Sequence, residues 1–175
     1  MIRLSFVAAL VLTPILASVA ACGPGVKGGP SMNNKIGGND VATAGGVTSP
    51  VVSAEVLARE PNTNKAQVKH ILIGWQDLAD AYQGGLDPRA AKRDKAAAET
   101  EVTSLVGQLA AGADFDSMMK AHSEDKGSAA SARLYPVTPD AQLVIEFKQL
   151  SLRLNVGEIG VVQSDFGFHI IKRYE

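Results

Sequence analysis

Residues 67–73 read QVKHILI and are followed by Gly74. The run is rich in β-branched residues and glycine ends it, which predicts a strand with Val68, His70 and Leu72 on one face. A second pair of such runs closes the chain. Ile159–Gln163 and Phe168–Arg173 are apolar and β-prone, and Ser164 to Gly167 between them predicts a hairpin. Asp87-Pro88 has the pattern of an N-cap followed by proline at the first helical position. Ala98, Val102, Leu105, Val106 and Leu109 then recur at helical spacing up to Gly112. Asp114 can cap a second helix whose apolar stripe is Phe115, Met118 and Met119. Residues 123–131, SEDKGSAAS, are expected to form a loop and Leu134–Val137 an extended segment. Thr138-Pro139 repeats the cap-and-proline pattern ahead of Leu143, Phe147 and Leu150. Helices grouped between a first strand and a closing hairpin indicate an α+β domain on a largely antiparallel sheet.

Everything before this domain has a different character. Residues 1–21 carry one charge, Arg3, ahead of an apolar run from Leu4 to Leu16 that is broken by Pro14 and gives way to small side chains. That is the anatomy of an export signal and is shorter than the roughly 20 apolar residues of a membrane span. Val19-Ala20-Ala21-Cys22 resembles the lipobox of bacterial lipoproteins, which implies cleavage before Cys22 and acylation of its thiol and new amine. The alternative is an ordinary secretory signal with a chance cysteine, and no second cysteine is present for a disulfide. Residues 22–64 are expected to be a flexible linker, because eight glycines fall between 23 and 50 and apolar content is low, except that VVSAEVLARE at 51–60 can form a short helix or strand. As a Gly-rich coil it would span roughly 35 Å. The expected organisation is signal peptide 1–21, lipidated cysteine and linker 22–64, and a folded domain 65–175.

The 175-residue chain has 17 basic and 18 acidic side chains and a net charge of −1, which excludes a basic nucleic-acid surface or an acidic tail as its main feature. No Gly-x-Gly-x-x-Gly or phosphate loop follows a strand. Three histidines are present, His70, His122 and His169. His122 follows the second helix's apolar stripe and reads as an edge of the core. No histidine pair has helical metal-site spacing and the carboxylates are scattered, so neither metal nor cofactor is expected. Ser123, His70 and Asp125 could be written as a hydrolase triad, but no Gly-x-Ser-x-Gly elbow accompanies them. An imidazole on a buried strand face needs partners, and the simplest partner for His70 is His169.

Four blocks, VKHILI at 68–73, GADFDSMMKAHSED at 112–125, VGEIG at 156–160 and DFGFHIIK at 165–172, resemble in order and spacing the parvulin peptidyl-prolyl isomerases. The resemblance covers roughly residues 66–175. It implies a four-stranded, mainly antiparallel sheet with flanking helices, and a non-covalent isomerase acting on proline-containing segments of unfolded or exported proteins. It places the catalytic positions on His70, His169, Asp125 and Ser164, and the proline pocket on Leu134, Leu143 and Phe147, with Phe166 at the rim. Read from the residues alone, Asp125 could instead be a solvated loop carboxylate and the four apolar residues simply core. Family members that select phosphoserine or phosphothreonine carry basic residues after the first strand. Here GWQDLADAYQGGLDP, 74–88, has Asp77, Asp80 and Asp87 and no cation, so phosphate selectivity is not expected. Arg89, Lys92 and Arg93 lie beyond it, on an expected solvated helix face. Residues 131–138, SARLYPVT, lack the glycines usual before the pocket, and the stretch between Gly157 and His169 is one residue shorter than usual. The alternative function is therefore a non-catalytic chaperone or peptide-binding module of the cell envelope. Gly23 after Cys22, in place of the aspartate that marks inner-membrane retention, points to a lipid-anchored protein of the bacterial outer membrane facing the periplasm.

Overall fold

The computed structural model describes residues 49–175. The expected signal peptide and Cys22 lie outside the described residues, as does the linker up to residue 48. Four strands form one antiparallel sheet in the order β2-β1-β4-β3, with β1 at Ala66–Ile73, β2 at Tyr135–Val137, β3 at Ile159–Ser164 and β4 at Gly167–Arg173. β1 and β4 occupy the centre, and their alternating side chains divide the core in two. Ile71, Ile73, Phe168 and Ile170 face α2 (Lys95–Ala110) and α3 (Phe115–His122), where they meet Val102, Leu105, Phe115 and Met119. Val68, Leu72 and Ile171 face α5 (Ile145–Ser151), where Phe147 and Leu150 are fully buried.

Local signals set most boundaries. Asp114 accepts from the Ser117 N–H and starts α3 over the expected stripe. Three expectations are corrected. The long helix begins at Lys95 and not at Pro88, because Asp94 caps it through the Ala97 N–H and the apolar repeat starts only at Ala98. Residues 87–93 instead make a short 3₁₀ turn ending in extended Arg93. Arg93 is not on a solvated face: its side chain is 10% exposed and paired with Glu101 and Glu124. The segment 123–131 is not all loop, since α4 spans Lys126–Ser131 with Asp125 as its N-cap. Six residues would not hold a helix in isolation, so its order comes from burial of Ser128 and Ala129. The third expected helix starts at Ile145, because the Thr138 hydroxyl donates to Asp140 and leaves no cap at residue 138.

Residues 49–64 pack against the domain, and the segment 51–60 supplies the short helix that its sequence allows. A four-residue helix, α1 (Ala54–Leu57), seats Val56 in the core, and the Ser53 N–H donates to the Val161 carbonyl at 2.9 Å on the outer edge of β3. Asn62 bonds the carbonyls of Arg153 and Leu154 at 3.1 Å each, and Arg59 pairs with Glu158. Val51, Val56 and Leu57 pack against the two clusters, beside a sheet edge that would otherwise expose its backbone groups.

Two glycines sit at close approaches, and at Gly167 the backbone leaves no room for a side chain. A Cβ on Gly160 would lie 3.0 Å from Leu154 and 3.1 Å from Leu150, where the end of α5 presses on β3. Gly167 has φ +129, and a Cβ there would lie 2.5 Å from the Ile73 carbonyl oxygen. Gly167→Ala should therefore lower unfolding stability by about 2–4 kcal/mol. Urea denaturation checks this, and a loss below about 0.5 kcal/mol would contradict the packing described.

Candidate active site

The antiparallel register pairs Leu72 with His169 and His70 with Ile171. The two histidines are thus diagonal neighbours on the α5 face of the central strands, close enough for long side chains to meet. Their Nδ1 atoms are 3.4 Å apart, and the rings stack with centroids 5.5 Å apart. Both are fully buried. Phe147 of α5 stands edge-on to each, at 5.3 Å from His70 and 5.6 Å from His169.

Each outward nitrogen has its own partner. His169 Nε2 lies 2.8 Å from Ser164 Oγ at the end of β3, and that oxygen also accepts the Phe166 N–H at 3.1 Å. His70 Nε2 lies 3.1 Å from Asp125 Oδ2 and 3.1 Å from Ser128 Oγ. Asp125 reaches this position because the chain after α3 continues the β1 ladder where β2 stops. The Glu124 N–H donates to the Leu72 carbonyl at 2.9 Å, the Leu72 N–H to Ser123 Oγ at 3.1 Å, and the Gly74 N–H to Glu124 Oε2 at 2.6 Å. Ser128 Oγ donates to Asp125 and sits 2.6 Å from the Tyr135 hydroxyl.

For tautomers carrying one proton on each ring, the donors run in a single direction. Asp125 is an acceptor, so His70 Nε2 donates to it and His70 Nδ1 accepts from His169 Nδ1. His169 Nε2 then accepts from the Ser164 hydroxyl. Burial, aided by the neighbouring His70, holds the His169 imidazole well below its ordinary value and keeps it neutral. Burial alone would push Asp125 up, but hydrogen bonds from His70 and Ser128 outweigh it and bring the carboxyl down to about 2. The Asp125 carboxylate therefore terminates the hydrogen-bond chain that links Ser164, His169 and His70.

All four positions expected from the histidine motifs, His70, Asp125, His169 and Ser164, meet in this network. The apolar set divides. Phe147, Phe166 and half-buried Leu143 belong to one cluster, but Leu134 does not: it is 37% exposed, just ahead of β2. Ser128 and Tyr135 were missed by sequence reasoning. The Asp125-x-x-Ser128 spacing of an N-cap was the available signal for Ser128, hidden by the reading of that segment as loop. Among the described residues, no three His, Cys, Asp or Glu side chains converge as a metal cage. No helix among them is long and apolar enough to cross a membrane.

The model of the PPIC-type PPIase domain family matches residues 54–175. The foldase protein PrsA of Geobacillus kaustophilus is 29% identical over 122 residues, covering 69% of this chain and 43% of PrsA. The chaperone SurA of Nitrosospira multiformis is 38% identical over 113 residues, covering 64% of this chain and 22% of SurA. The chain thus spans less than half the length of either relative. The peptidyl-prolyl isomerase ESS1 from Candida albicans shares the fold at a TM-score of 0.52 and 16% identity, over 64% of this chain and 63% of that one.

A neutral, buried His169 has a consequence for acid stability. Below pH 6.5 the unfolded chain takes up a proton that the native ring refuses, so this contribution is complete above pH 6.5 and declines as pH falls. The urea midpoint should therefore drop between pH 7 and pH 5, and His169→Gln should flatten that drop. An equal slope in both proteins would show that His169 protonates freely in the native state.

Proposed function

The chain belongs to the PPIC-type peptidyl-prolyl isomerase family, and we propose that it catalyses cis/trans rotation about X-Pro bonds in exported proteins without selecting phosphorylated substrates. The observation that supports this best is the buried His70–His169 pair, capped by Ser164 and Asp125 and flanked by the Phe147 edge. Rotation of a peptide bond is opposed by about 18–20 kcal/mol of lost resonance and needs no covalent step. A site accelerates it by burying the proline ring, keeping water from the carbonyl and binding the twisted amide better than either planar form.

In this reading half-buried Leu143 is the reachable apolar contact for the proline ring, beside buried Phe147 and Phe166 of the same cluster, while Leu134 is exposed outside it. The imidazoles lie beneath solvent reach, so their role is to fix Phe147 and the Ser164–Gly167 turn as a rigid floor. They act as organisers and transfer no proton to the amide. This agrees with a reaction whose barrier lies in electronic resonance and solvent, not in acid–base chemistry.

Selectivity follows from where cations sit. Arg89, Lys120 and Lys126 border a hollow of about 530 Å³ together with Ser123, Ala129 and Ala130. Arg89 is committed to Asp87 and to the carbonyls of Ala121 and Ser123, and Lys126 lies 3.6 Å from Asp87. With Arg89 and Lys126 answered by Asp87, and Asp77 and Asp80 in place of cations in the segment after β1, a phosphoryl group gains little here. A second reading, a non-catalytic module that holds extended proline-containing segments, is supported by the exposed Leu134 and Ile145 and the absence of glycine in 131–138. The names foldase and chaperone carried by the relatives accord with either activity. Anchoring through acylated Cys22 at the outer membrane, facing the periplasm, rests on the lipobox-like sequence, and loss of labelled fatty acid in Cys22→Ser tests it.

In a protease-coupled assay on a proline peptide, Leu143→Ala and Asp125→Ala should each lower kcat/KM by about tenfold or more while circular dichroism stays native. Wild-type rates in both would sink the site assignment. Aggregation suppression without isomerisation would favour the holding module. A phosphoserine-proline peptide should turn over no faster than its unmodified counterpart.

A further inference from the structure

Tyr82 belongs to none of the positions assigned above, yet it is buried and its hydroxyl donates to the Phe166 carbonyl oxygen at 2.5 Å. The partners are 84 residues apart in the chain, so this bond ties the segment after β1 to the turn between β3 and β4. Their rings also meet edge-on, with centroids 6.0 Å apart and planes at 82°. Burial raises the Tyr82 hydroxyl well above its ordinary value, with Asp125 and Asp87 adding to the effect, so it remains a donor at all physiological pH.

Phe166 is the residue through which this bond reaches the histidines. Its carbonyl is held by Tyr82, its N–H donates to Ser164 Oγ at 3.1 Å, and Ser164 Oγ lies 2.8 Å from His169 Nε2. On the opposite side, Gly167 is pressed against the Ile73 carbonyl with no room for a side chain. The turn is therefore pinned between β1 and Tyr82. The two residues following Tyr82 are both left-handed, Gln83 at φ +47 and Gly84 at φ +87. For Gln83 that conformation is unfavourable and needs an anchor on the same segment.

We propose that Tyr82 is the positioning residue of this site: by holding the Phe166 carbonyl it sets the rotation of the Ser164–Gly167 turn, and so delivers the Ser164 hydroxyl to His169. Tyr82 acts through Ser164 and does not touch the substrate. The kinetic part of this inference rests on the isomerase reading; the part concerning the His169 ring does not.

Tyr82→Phe keeps the packing and removes the hydroxyl. In the protein labelled with 15N-histidine, this variant should shift the His169 Nε2 resonance and lower kcat about three- to tenfold with KM unchanged. In a Ser164→Ala background it should change neither quantity further, because its route to the imidazole is already cut. A Tyr82→Phe protein with wild-type kcat and an unmoved His169 resonance would overturn the proposal. So would effects that simply multiply with those of Ser164→Ala. If the parent protein has no isomerase activity, the isomerase reading fails, and the imidazole resonances in the single and double variants still decide the role of Tyr82.

Discussion

Two imidazoles buried between adjacent strands impose a strict condition: every ring nitrogen must be paired where no water can substitute. Leaving one buried polar group unsatisfied costs about 1–3 kcal/mol, a sizeable part of the stability of a small domain. Here one nitrogen of each ring is satisfied by the other ring, which leaves two to be met from outside the central strands. Ser164 supplies one from the end of β3, and Asp125 with Ser128 supplies the other from the start of α4. The hairpin turn, the α3–α4 connection and β2, through Tyr135, are thereby held in register with the middle of the sheet.

That condition also explains the asymmetry of the two faces. Against α2 and α3 the sheet buries a continuous apolar cluster, edged by the Lys69–Asp116 pair that joins β1 to α3. On the α5 face the apolar cluster is interrupted by the histidine pair, and Phe147 presents its edge to both rings. A short helix such as α4, with little intrinsic tendency to persist, is ordered because its capping carboxylate is also the partner of His70. One side chain thus performs a local and a long-range task together. Its ionised form is favoured by the same contacts that position it, since His70 and Ser128 donate to it.

Sequence reading was most successful where signals were local and periodic. The strand pattern around His70, the cap at Asp114 and the closing hairpin each follow from neighbours within a few residues, and the structure contains them. It was less successful where two local signals competed. Asp87-Pro88 has the cap-and-proline pattern, but the helix starts where Asp94 accepts the Ala97 N–H, and Arg93 ahead of it is drawn between Glu101 and Glu124. Residues 49–64 follow a Gly-rich stretch and read as the end of a linker, although 51–60 carries enough apolar side chains for a short helix. Their order depends on a sheet edge formed about a hundred residues later. Leu134 matched the expected pocket by position but lies outside the apolar cluster that holds Leu143, Phe147 and Phe166.

By itself the sequence determined the α+β class, the antiparallel hairpin, and the face of each strand on which His70 and His169 lie, because side-chain alternation is a property of the extended backbone. It did not determine how those faces are registered. The diagonal placement of the two histidines, the delivery of Asp125 along the open edge of β1, and the bond from Tyr82 to Phe166 depend on pairings between residues dozens of positions apart. Such pairings are selected by the whole core closing at once, since each gains its energy only when its neighbours are already buried. For that reason the histidine pair could be anticipated from pattern, while Ser128, Tyr135 and Tyr82 became visible only in the folded chain.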